Sequence, residues 1–226
     1  MFAEINSFLN DLIWGSILIY LLPLLGIFFT VSSRFVQFRY FFKMFHILKE
    51  TVHDKEGHIS SFQALMLSVA GRVGGGNIAG VAVAITLGGP GAVFWMWIIG
   101  LIGMSTSFFE CSLAQLYKEK DGKDEGVYRG GPAYYVSKAL GQRWLGIVIS
   151  ILLMITFGFA FNATQSFIIS TSFEASFDIP TWMTGVAITI VFALSIFGGV
   201  KRIARVSEVI VPIMAVSYLL IAVVVI

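Results

Sequence analysis

The chain has 226 residues, of which 57% are hydrophobic and only 12% are charged, and its mean hydropathy is +0.87. This composition is too apolar for a water-soluble globule, which must cover its core with polar surface, and it indicates an integral membrane protein. The net charge of +2 gives no basic surface for nucleic acid, and the single cysteine, Cys111, excludes an intramolecular disulfide.

Six apolar segments are long enough to cross a bilayer, whose hydrocarbon core about 30 Å thick needs roughly 20 residues of helix. They lie at residues 12–33, 60–87, 92–115, 144–170, 181–200 and 206–226. The first has Glu4 and Asp11 ahead of it and lacks the basic flank and cleavage site of a signal peptide, so we expect a retained helix. The alternation typical of a membrane β-barrel is absent, which predicts an all-α membrane protein without strands.

The connections between these segments carry clear turn and interface signals. The sequence GGPG at 88–91 predicts a tight hairpin between the second and third spans, and GGVKRIAR at 198–205 separates the fifth from the sixth. Two loop segments, 35–49 and 130–140, mix aromatic residues with cations. They are expected to lie along the membrane surface, as simple interfacial anchors rather than as gating elements.

Lysine and arginine predict the orientation in the membrane. The segments 34–55, 118–143 and 201–205 carry five, six and three of them, so fourteen of the fifteen fall on one side. By the positive-inside rule these loops are cytoplasmic and both chain ends are external, in what we expect to be the plasma membrane. The remaining cation is Arg72, inside the second span.

The second span contains the sequence SVAGRVGGGNIAGVAVAI at 68–85, in which three glycines stand near mid-membrane. Successive glycines weaken a helix by about 1 kcal/mol each, so unwinding at Gly74, Gly75 and Gly76 is expected, with Asn77 as N-cap of a second half-helix starting at Ile78. Such a break exposes amides that attract a carboxylate and carbonyls that attract a cation. Composition alone equally allows glycines that only permit close helix packing.

Other polar groups inside the spans leave alternatives open. In the fourth span Gly158, Asn162 and Gln165 follow helical spacing, and the two amides serve either an interhelical hydrogen bond, the commoner case, or a substrate contact. Arg72 needs a partner, for which Glu110 and Glu208 are the candidates by residue type. That pair would act in gating or proton relay, or would fix the helix register.

Two segments of the chain carry a specific combination of motifs. They are GRVGGGNIAGVAVAI at 71–85 and FFECSLAQLYKEKDGKDEGVYRGGPAYYV at 108–136, and the second contains Glu-x-x-Leu-Ala-x-x-Tyr at 110–117 and Arg-Gly-Gly-Pro-x-Tyr-Tyr at 129–135. Both segments resemble the sodium:alanine symporter family, also called the alanine or glycine:cation symporters. The asparagine and glutamine pattern of a later span resembles Asn162 and Gln165.

The resemblance implies sodium-coupled symport of a small neutral amino acid, alanine or glycine, with protons as the other possible coupling ion. It implies a LeuT-type inverted-repeat fold around discontinuous helices, without a further cofactor. The implied substrate-binding residues are Gly74, Gly75, Gly76, Asn77, Gln165 and Asn162. A looser analogy places sodium at the backbone carbonyls of Ala70 and Val73.

The order of spans fits one half of such a transporter. The helix at 12–33 is an extra N-terminal one, and residues 60–226 match a first five-helix repeat whose first helix, 60–87, is discontinuous. The second repeat is expected to be absent, so that 1–226 forms a single transmembrane domain, the N-terminal half of a longer protein, of unknown oligomeric state. The alternative is a non-transporting scaffold or inactive fragment whose glycines and amides serve helix packing. An enzyme is not expected, since no nucleophile elbow, metal-ligand cluster or phosphate loop appears.

Overall fold

The structure is a computed structural model that describes residues 2–49, 60–120 and 128–225. Most of these residues are helical, as the sequence predicts. The α-helices, in chain order, are α1 (Phe2–Asn10), α2 (Ile19–Ser32), α3 (Val36–Arg39), α4 (Phe41–Lys49), α5 (Ser61–Ala70), α6 (Gly75–Gly88), α7 (Gly91–Leu116), α8 (Pro132–Ala139), α9 (Arg143–Ile155), α10 (Phe161–Phe177), α11 (Thr181–Ile196) and α12 (Gly199–Val225). Two π-helical segments, Asp11–Leu18 and Thr156–Ala160, join α1 to α2 and α9 to α10.

Several of these helices are long and apolar enough to cross a membrane. Within the described residues they are the stretches Glu4–Ser32, Gly91–Leu116, Arg143–Phe177 and Arg202–Val224, and the bent pair α5–α6 makes a fifth if it counts as one span. The fifth predicted span, 181–200, corresponds to α11, which has 16 residues and is shorter than the roughly 20 that a bilayer needs. The structure therefore supports four or five of the six predicted spans and an integral, multi-pass membrane protein.

The predicted hairpin between the second and third spans is confirmed. Helix α6 ends at Gly88 and α7 begins at Gly91, and Gly89 between them has a φ of 70°, in the left-handed region that glycine adopts without strain. The connection between the fifth and sixth predicted spans differs slightly from the prediction. Because α12 begins at Gly199, the cations at 201–205 lie in its first turns rather than in a loop.

The expectation that the chain has no strands is wrong in one place. Residues Glu119–Lys120 (β1) and Tyr128–Arg129 (β2) pair as a two-stranded sheet. They belong to a polar, basic connection between two spans, where the argument from barrel alternation does not apply. The segments predicted to lie at the membrane surface are helical, as α3, α4 and α8.

The structure falls into two compact units, and the first comprises residues 2–46, 84–119 and 128–147. Its centre is the contact between α2 and α7, where the side chain of Ile102 fills the space that a methyl group at Gly26 would need. Ser105, fully buried, donates to the carbonyl oxygens of Gly26 and Ile102 at 3.0 and 2.8 Å. Its hydroxyl also accepts a hydrogen bond from the buried hydroxyl of Thr30 at 3.0 Å.

In the same unit, α8 packs against α7. Partial burial raises the pKa of Tyr135 on α8 above its usual value, and the negative charge of Glu110 on α7 raises it further. Tyr135 therefore stays a neutral phenol over the physiological pH range.

The second unit comprises residues 47–49, 60–83, 120 and 148–225 among those that the structure describes. Its main contact joins α5 to α12. At the start of α5, Ser60 and Gln63 form a capping box, in which each side chain accepts a hydrogen bond from the other residue's backbone amide. The side-chain nitrogen Nε2 of Gln63 also donates to the Glu208 carboxylate of α12 at 2.8 Å, which joins the beginning of α5 to α12.

Candidate functional site

The second predicted span is broken, as the glycine-rich sequence indicates. Helices α5 and α6 are separated by the four residues Gly71–Gly74 and meet at a bend of 48°. Gly71 closes α5 by donating to the Leu67 carbonyl oxygen at 3.1 Å. Arg72 and Val73 both donate to the Val69 carbonyl oxygen, so the chain leaves α5 in a tight turn.

The break lies earlier in the chain than the sequence predicts, and Asn77 is not the N-cap. Helix α6 begins at Gly75 rather than Ile78, so Gly74 occupies the capping position, and Asn77 is the third residue of the helix. The backbone amide of Asn77 donates to the Gly74 carbonyl oxygen at 3.0 Å. The reason is physical: glycine is well tolerated at an N-cap, and its penalty within the first turn is too small to delay a helix whose opening amide has a partner.

That partner is Gln165 of α10, whose side-chain carbonyl accepts the Gly75 amide at 2.9 Å. The approach is close because the glycines have no side chain: a methyl at Gly74 would lie 2.7 Å from Gln165 Nε2, and one at Gly75 would lie 2.7 Å from Ile168 Cγ2. A methyl at Gly76 would meet nothing within 4 Å. Gly74 and Gly75 therefore serve close contact with α10, whereas Gly76 does not.

Several backbone groups at the break have no hydrogen-bond partner among the described residues. The carbonyl oxygens of Ala70 and Val73 receive no hydrogen bond there, and the amides of Gly74 and Gly76 donate none. Within a membrane such groups are tolerated only where they line a polar cavity or meet a ligand. The break thus offers acceptors and donors within a few residues of each other.

Asn162 lies three residues before Gln165 on α10, but its amide is used differently. Its Nδ2 atom donates to the carbonyl oxygens of Phe157 and Gly158 in the preceding π-helical segment, at 3.1 and 3.2 Å. The side-chain nitrogen of Asn162 therefore serves its own helix. The expectation that Gly158, Asn162 and Gln165 follow regular α-helical spacing is wrong, because Gly158 lies in the π-helical segment.

Arg72 lies within the break and its side chain is exposed. It makes no ion pair with Glu208 in the second unit, where the Glu208 carboxylate accepts the Gln63 amide instead. Of the two partners expected for Arg72 by residue type, Glu208 therefore does not form the predicted pair.

Sequence reasoning missed two features of this site. Ile168 fills the space beside Gly75, and its signal was its position three residues after Gln165, on the same face of α10. The π-helical segment Thr156–Ala160 carries no comparable signal, since its sequence, TFGFA, is that of an ordinary apolar helix with one glycine.

Comparison with known proteins identifies the kind of molecule in which this break occurs. Residues 1–226 match the sodium:alanine symporter family. The chain belongs to this family. Its members are transporters rather than enzymes, which agrees with the expectation from the sequence, and the resemblance seen in the two motif segments extends over the whole chain.

Individual members of the sodium:alanine symporter family are similar to the chain at high identity. It is 50% identical over 220 residues to the amino-acid carrier protein AlsT of Bacillus subtilis, which covers 96% of this chain and 46% of that protein. It is 47% identical over 211 residues to the probable sodium/glutamine symporter GlnT of the same organism, 93% and 44% of the two chains. It is 37% identical over 226 residues to the sodium/alanine symporter AgcS of Methanococcus maripaludis, 97% and 49% of the two. The chain spans about half the length of these relatives.

Proposed function

We propose that this chain is the N-terminal half of a sodium-coupled symporter for a small neutral amino acid, alanine or glycine. The observation that carries the proposal is the 48° break at Gly71–Gly74 in a chain of a symporter family, with backbone groups on both sides that have no hydrogen-bond partner among the described residues. Discontinuous helices with such groups form the substrate and ion sites of many secondary transporters.

The substrate carboxylate binds at the start of α6. The amides of Gly74 and Gly76, which donate no hydrogen bond to the described residues, attract an anion there together with the positive end of the helix dipole, while the amide of Gly75 is held by Gln165. The exposed side chain of Asn77 stands in the same first turn and donates a further hydrogen bond to the carboxylate. Gln165 faces the substrate with its amide nitrogen, which lies beside Gly74.

Sodium is the co-transported ion in this proposal, and it binds on the other side of the break. The carbonyl oxygens of Ala70 and Val73 carry partial negative charge and lack hydrogen bonds from the described residues. Oxygen ligands of this kind suit a hard cation, and the negative end of the α5 dipole adds to the attraction. The charges of ion and substrate then stabilise each other across the break, which couples their binding.

The size of the site favours alanine and glycine. Gly74 and Gly75 are in close contact with Gln165 and Ile168, so the wall of the site is built from backbone and from side chains already in contact. Relatives are named for alanine and for glutamine, and both are neutral amino acids. A crowded wall at the break admits the smaller of the two.

The arrangement of the whole protein is part of the proposal. Residues 60–226 are the first repeat of a LeuT-type inverted-repeat fold, preceded by one extra helix, and a second repeat supplies the other discontinuous helix. The basic segments 34–55, 118–143 and 201–205 face the cytoplasm of a plasma membrane, and the two ends of the chain face outward.

The first experiment measures alanine uptake into proteoliposomes driven by an inward sodium gradient. The 226-residue chain and the complete gene product are reconstituted separately, with potassium replacing sodium and with an imposed proton gradient as further arms. We expect sodium-driven uptake of alanine and glycine by the complete protein, and competition by glutamine that is weaker than competition by alanine.

The matched variants are Asn77→Ala and Asn10→Ala, two asparagines with exposed side chains on different helices. Loss of one hydrogen bond to a charged carboxylate predicts about a tenfold or greater loss of alanine affinity for Asn77→Ala and none for Asn10→Ala. Equal affinity in both variants would remove Asn77 from the site. Absence of sodium-dependent uptake by correctly inserted complete protein would refute the transport proposal and leave the scaffold role.

A further inference from the structure

The segment Thr156–Ala160 is a π-helical bulge directly before the part of α10 that meets the break. Its defining hydrogen bond runs from the Phe161 amide to the Thr156 carbonyl oxygen, five residues earlier. A bulge of this kind inserts one residue into an α-helix, and one residue corresponds to a rotation of about 100° around the helix axis. Every side chain of α10 after the bulge therefore points about 100° away from where an uninterrupted helix would place it.

The rotation decides which side chains meet the glycines. Gln165 and Ile168 lie on one face of α10, and that face contacts Gly74 and Gly75. In an uninterrupted α-helix the same two side chains would point away from the glycines. The Gly75 amide would then lose its acceptor, and Gln165 and Ile168 would no longer contact Gly74 and Gly75. The bulge is therefore what brings Gln165 to the start of α6.

A bulge is unstable by itself, because it leaves carbonyl groups poorly paired within the helix. Here two of those carbonyls, of Phe157 and Gly158, accept hydrogen bonds from one side chain, Asn162 Nδ2. Thr164 and Ser172 bond only a carbonyl four residues back, the ordinary pattern for hydroxyl side chains in a helix. Asn162 reaches carbonyls both four and five residues back, which matches the geometry of the bulge.

We propose that Asn162 is a positioning residue: its amide holds the bulge at Thr156–Ala160, and the bulge sets the register in which Gln165 caps Gly75. The inference rests on the proposed function in one respect: the expected change in affinity is for the amino-acid substrate. Asn162 itself makes no contact with the substrate in this account, since its side-chain nitrogen serves the bulge. This differs from the sequence-based expectation that Asn162 binds substrate directly.

Deletion of Phe159 separates the two roles of Asn162. Phe159 is 72% exposed and lies inside the bulge, so its removal converts the bulge into regular α-helix and leaves Gln165 in its present register. Sodium-dependent alanine binding is measured for the complete gene product with Asn162→Ala, with Phe159 deleted, and with both changes. We expect Asn162→Ala alone to weaken binding about tenfold and to have no effect when Phe159 is also absent. A tenfold loss in both backgrounds would show direct substrate contact and overturn the inference.

Rescue gives a second arm with a conservative change. Asn162→Ser keeps a donor that can reach the carbonyl four residues back, as Ser172 does, but cannot pair both bulge carbonyls. We expect alanine affinity between those of the native protein and Asn162→Ala. Affinity no better than that of Asn162→Ala would count against the proposed role.

Cross-linking tests the register without any substrate. In a background with native cysteines replaced by serine, Gly74→Cys and Gln165→Cys are introduced together, and the rate of coupling by a short bifunctional thiol reagent is measured in membranes. We expect the rate to fall several-fold when Asn162→Ala is added and to be unaffected by Asn10→Ala. An unchanged rate would overturn the inference while the transport proposal stands. If no form of the protein bound alanine but the cross-linking rates changed as expected, the transport proposal would fail and the inference about Asn162 would stand.

Discussion

The contact between α2 and α7 and the break between α5 and α6 are both places where polar groups lie inside apolar helices, and they treat those groups in opposite ways. In the first, Ser105 and Thr30 are buried, the Thr30 hydroxyl donates to that of Ser105, and Ser105 donates to backbone carbonyls. At the break, the carbonyl oxygens of Ala70 and Val73 have no donor among the described residues, and Arg72 is exposed.

The difference shows how polar residues of a membrane protein divide between packing and binding. A buried hydroxyl whose hydrogen bonds are complete joins two helices and has no capacity left for a ligand. A backbone whose groups are left open keeps that capacity, at the cost of local helix stability. The presence of a polar residue in a span does not separate the two cases, whereas its hydrogen-bond partners do.

The largest effect is expected from Gly74→Ala. The new methyl would lie 2.7 Å from Gln165 Nε2, and since this atom ends a flexible side chain, Gln165 moves and releases the Gly75 amide. We expect alanine affinity to fall by about tenfold or more, while the free energy of unfolding changes by less than about 1 kcal/mol. Isothermal titration and thermal unfolding of the complete protein measure the two quantities.

Gly80→Ala is the matched control, because it adds the same methyl to the same helix, outside the proposed site, where nothing lies within 4 Å. It should raise helix stability by up to about 1 kcal/mol and keep the Gln165 contact. If Gly74→Ala and Gly80→Ala had equal effects on alanine affinity, the close approach of α10 would be irrelevant to binding, and the contrast between the two regions would be lost.

An intermediate effect, on stability rather than on alanine affinity, is expected from Ser105→Ala. It leaves the buried Thr30 hydroxyl without its acceptor and removes the bond to the Gly26 carbonyl, so the free energy of unfolding should fall by about 1–2 kcal/mol. Alanine affinity should not change.

Ser112→Ala is the control for that measurement, since the Ser112 hydroxyl bonds to the Phe108 carbonyl of its own helix at an exposed position. It should alter unfolding by less than about 0.5 kcal/mol. A large effect of Ser105→Ala on alanine affinity would mean that the α2–α7 contact is more than packing.

The smallest effect is expected from Tyr135→Phe, and it concerns the pH dependence of unfolding. Its pKa is raised above the unfolded value, so the folded state keeps the proton longer, and the stability this provides is complete below about pH 10 and is lost as pH rises through the folded pKa. Unfolding measured between pH 9 and pH 11 should show less alkaline destabilisation in Tyr135→Phe than in the native protein. Tyr134→Phe, the neighbouring phenol, should behave like the native protein if Tyr135 is the cause.

Much of the fold follows from the sequence, because long apolar runs, the GGPG turn and the glycine run each have a direct structural meaning. The position of the break within the glycine run does not, since it depends on Gln165 of a distant helix supplying an acceptor to Gly75. The π-helical bulge is also not predictable from the sequence pattern. Its stabilising bonds come from Asn162, whose amide a sequence assigns as readily to a neighbouring helix or to a ligand.

The two ends of the break have consequences for the energetics of binding. Helix α5 has its own start signal in the Ser60–Gln63 capping box and ends at Ala70, and α6 has its own cap in Gln165, so hydrogen bonds within the protein define both half-helices without a ligand. The helix is already interrupted when ion and substrate arrive. The free energy of unwinding it is thus a term in the stability of the protein and not in the dissociation constant, and the site is preorganised for its ligands.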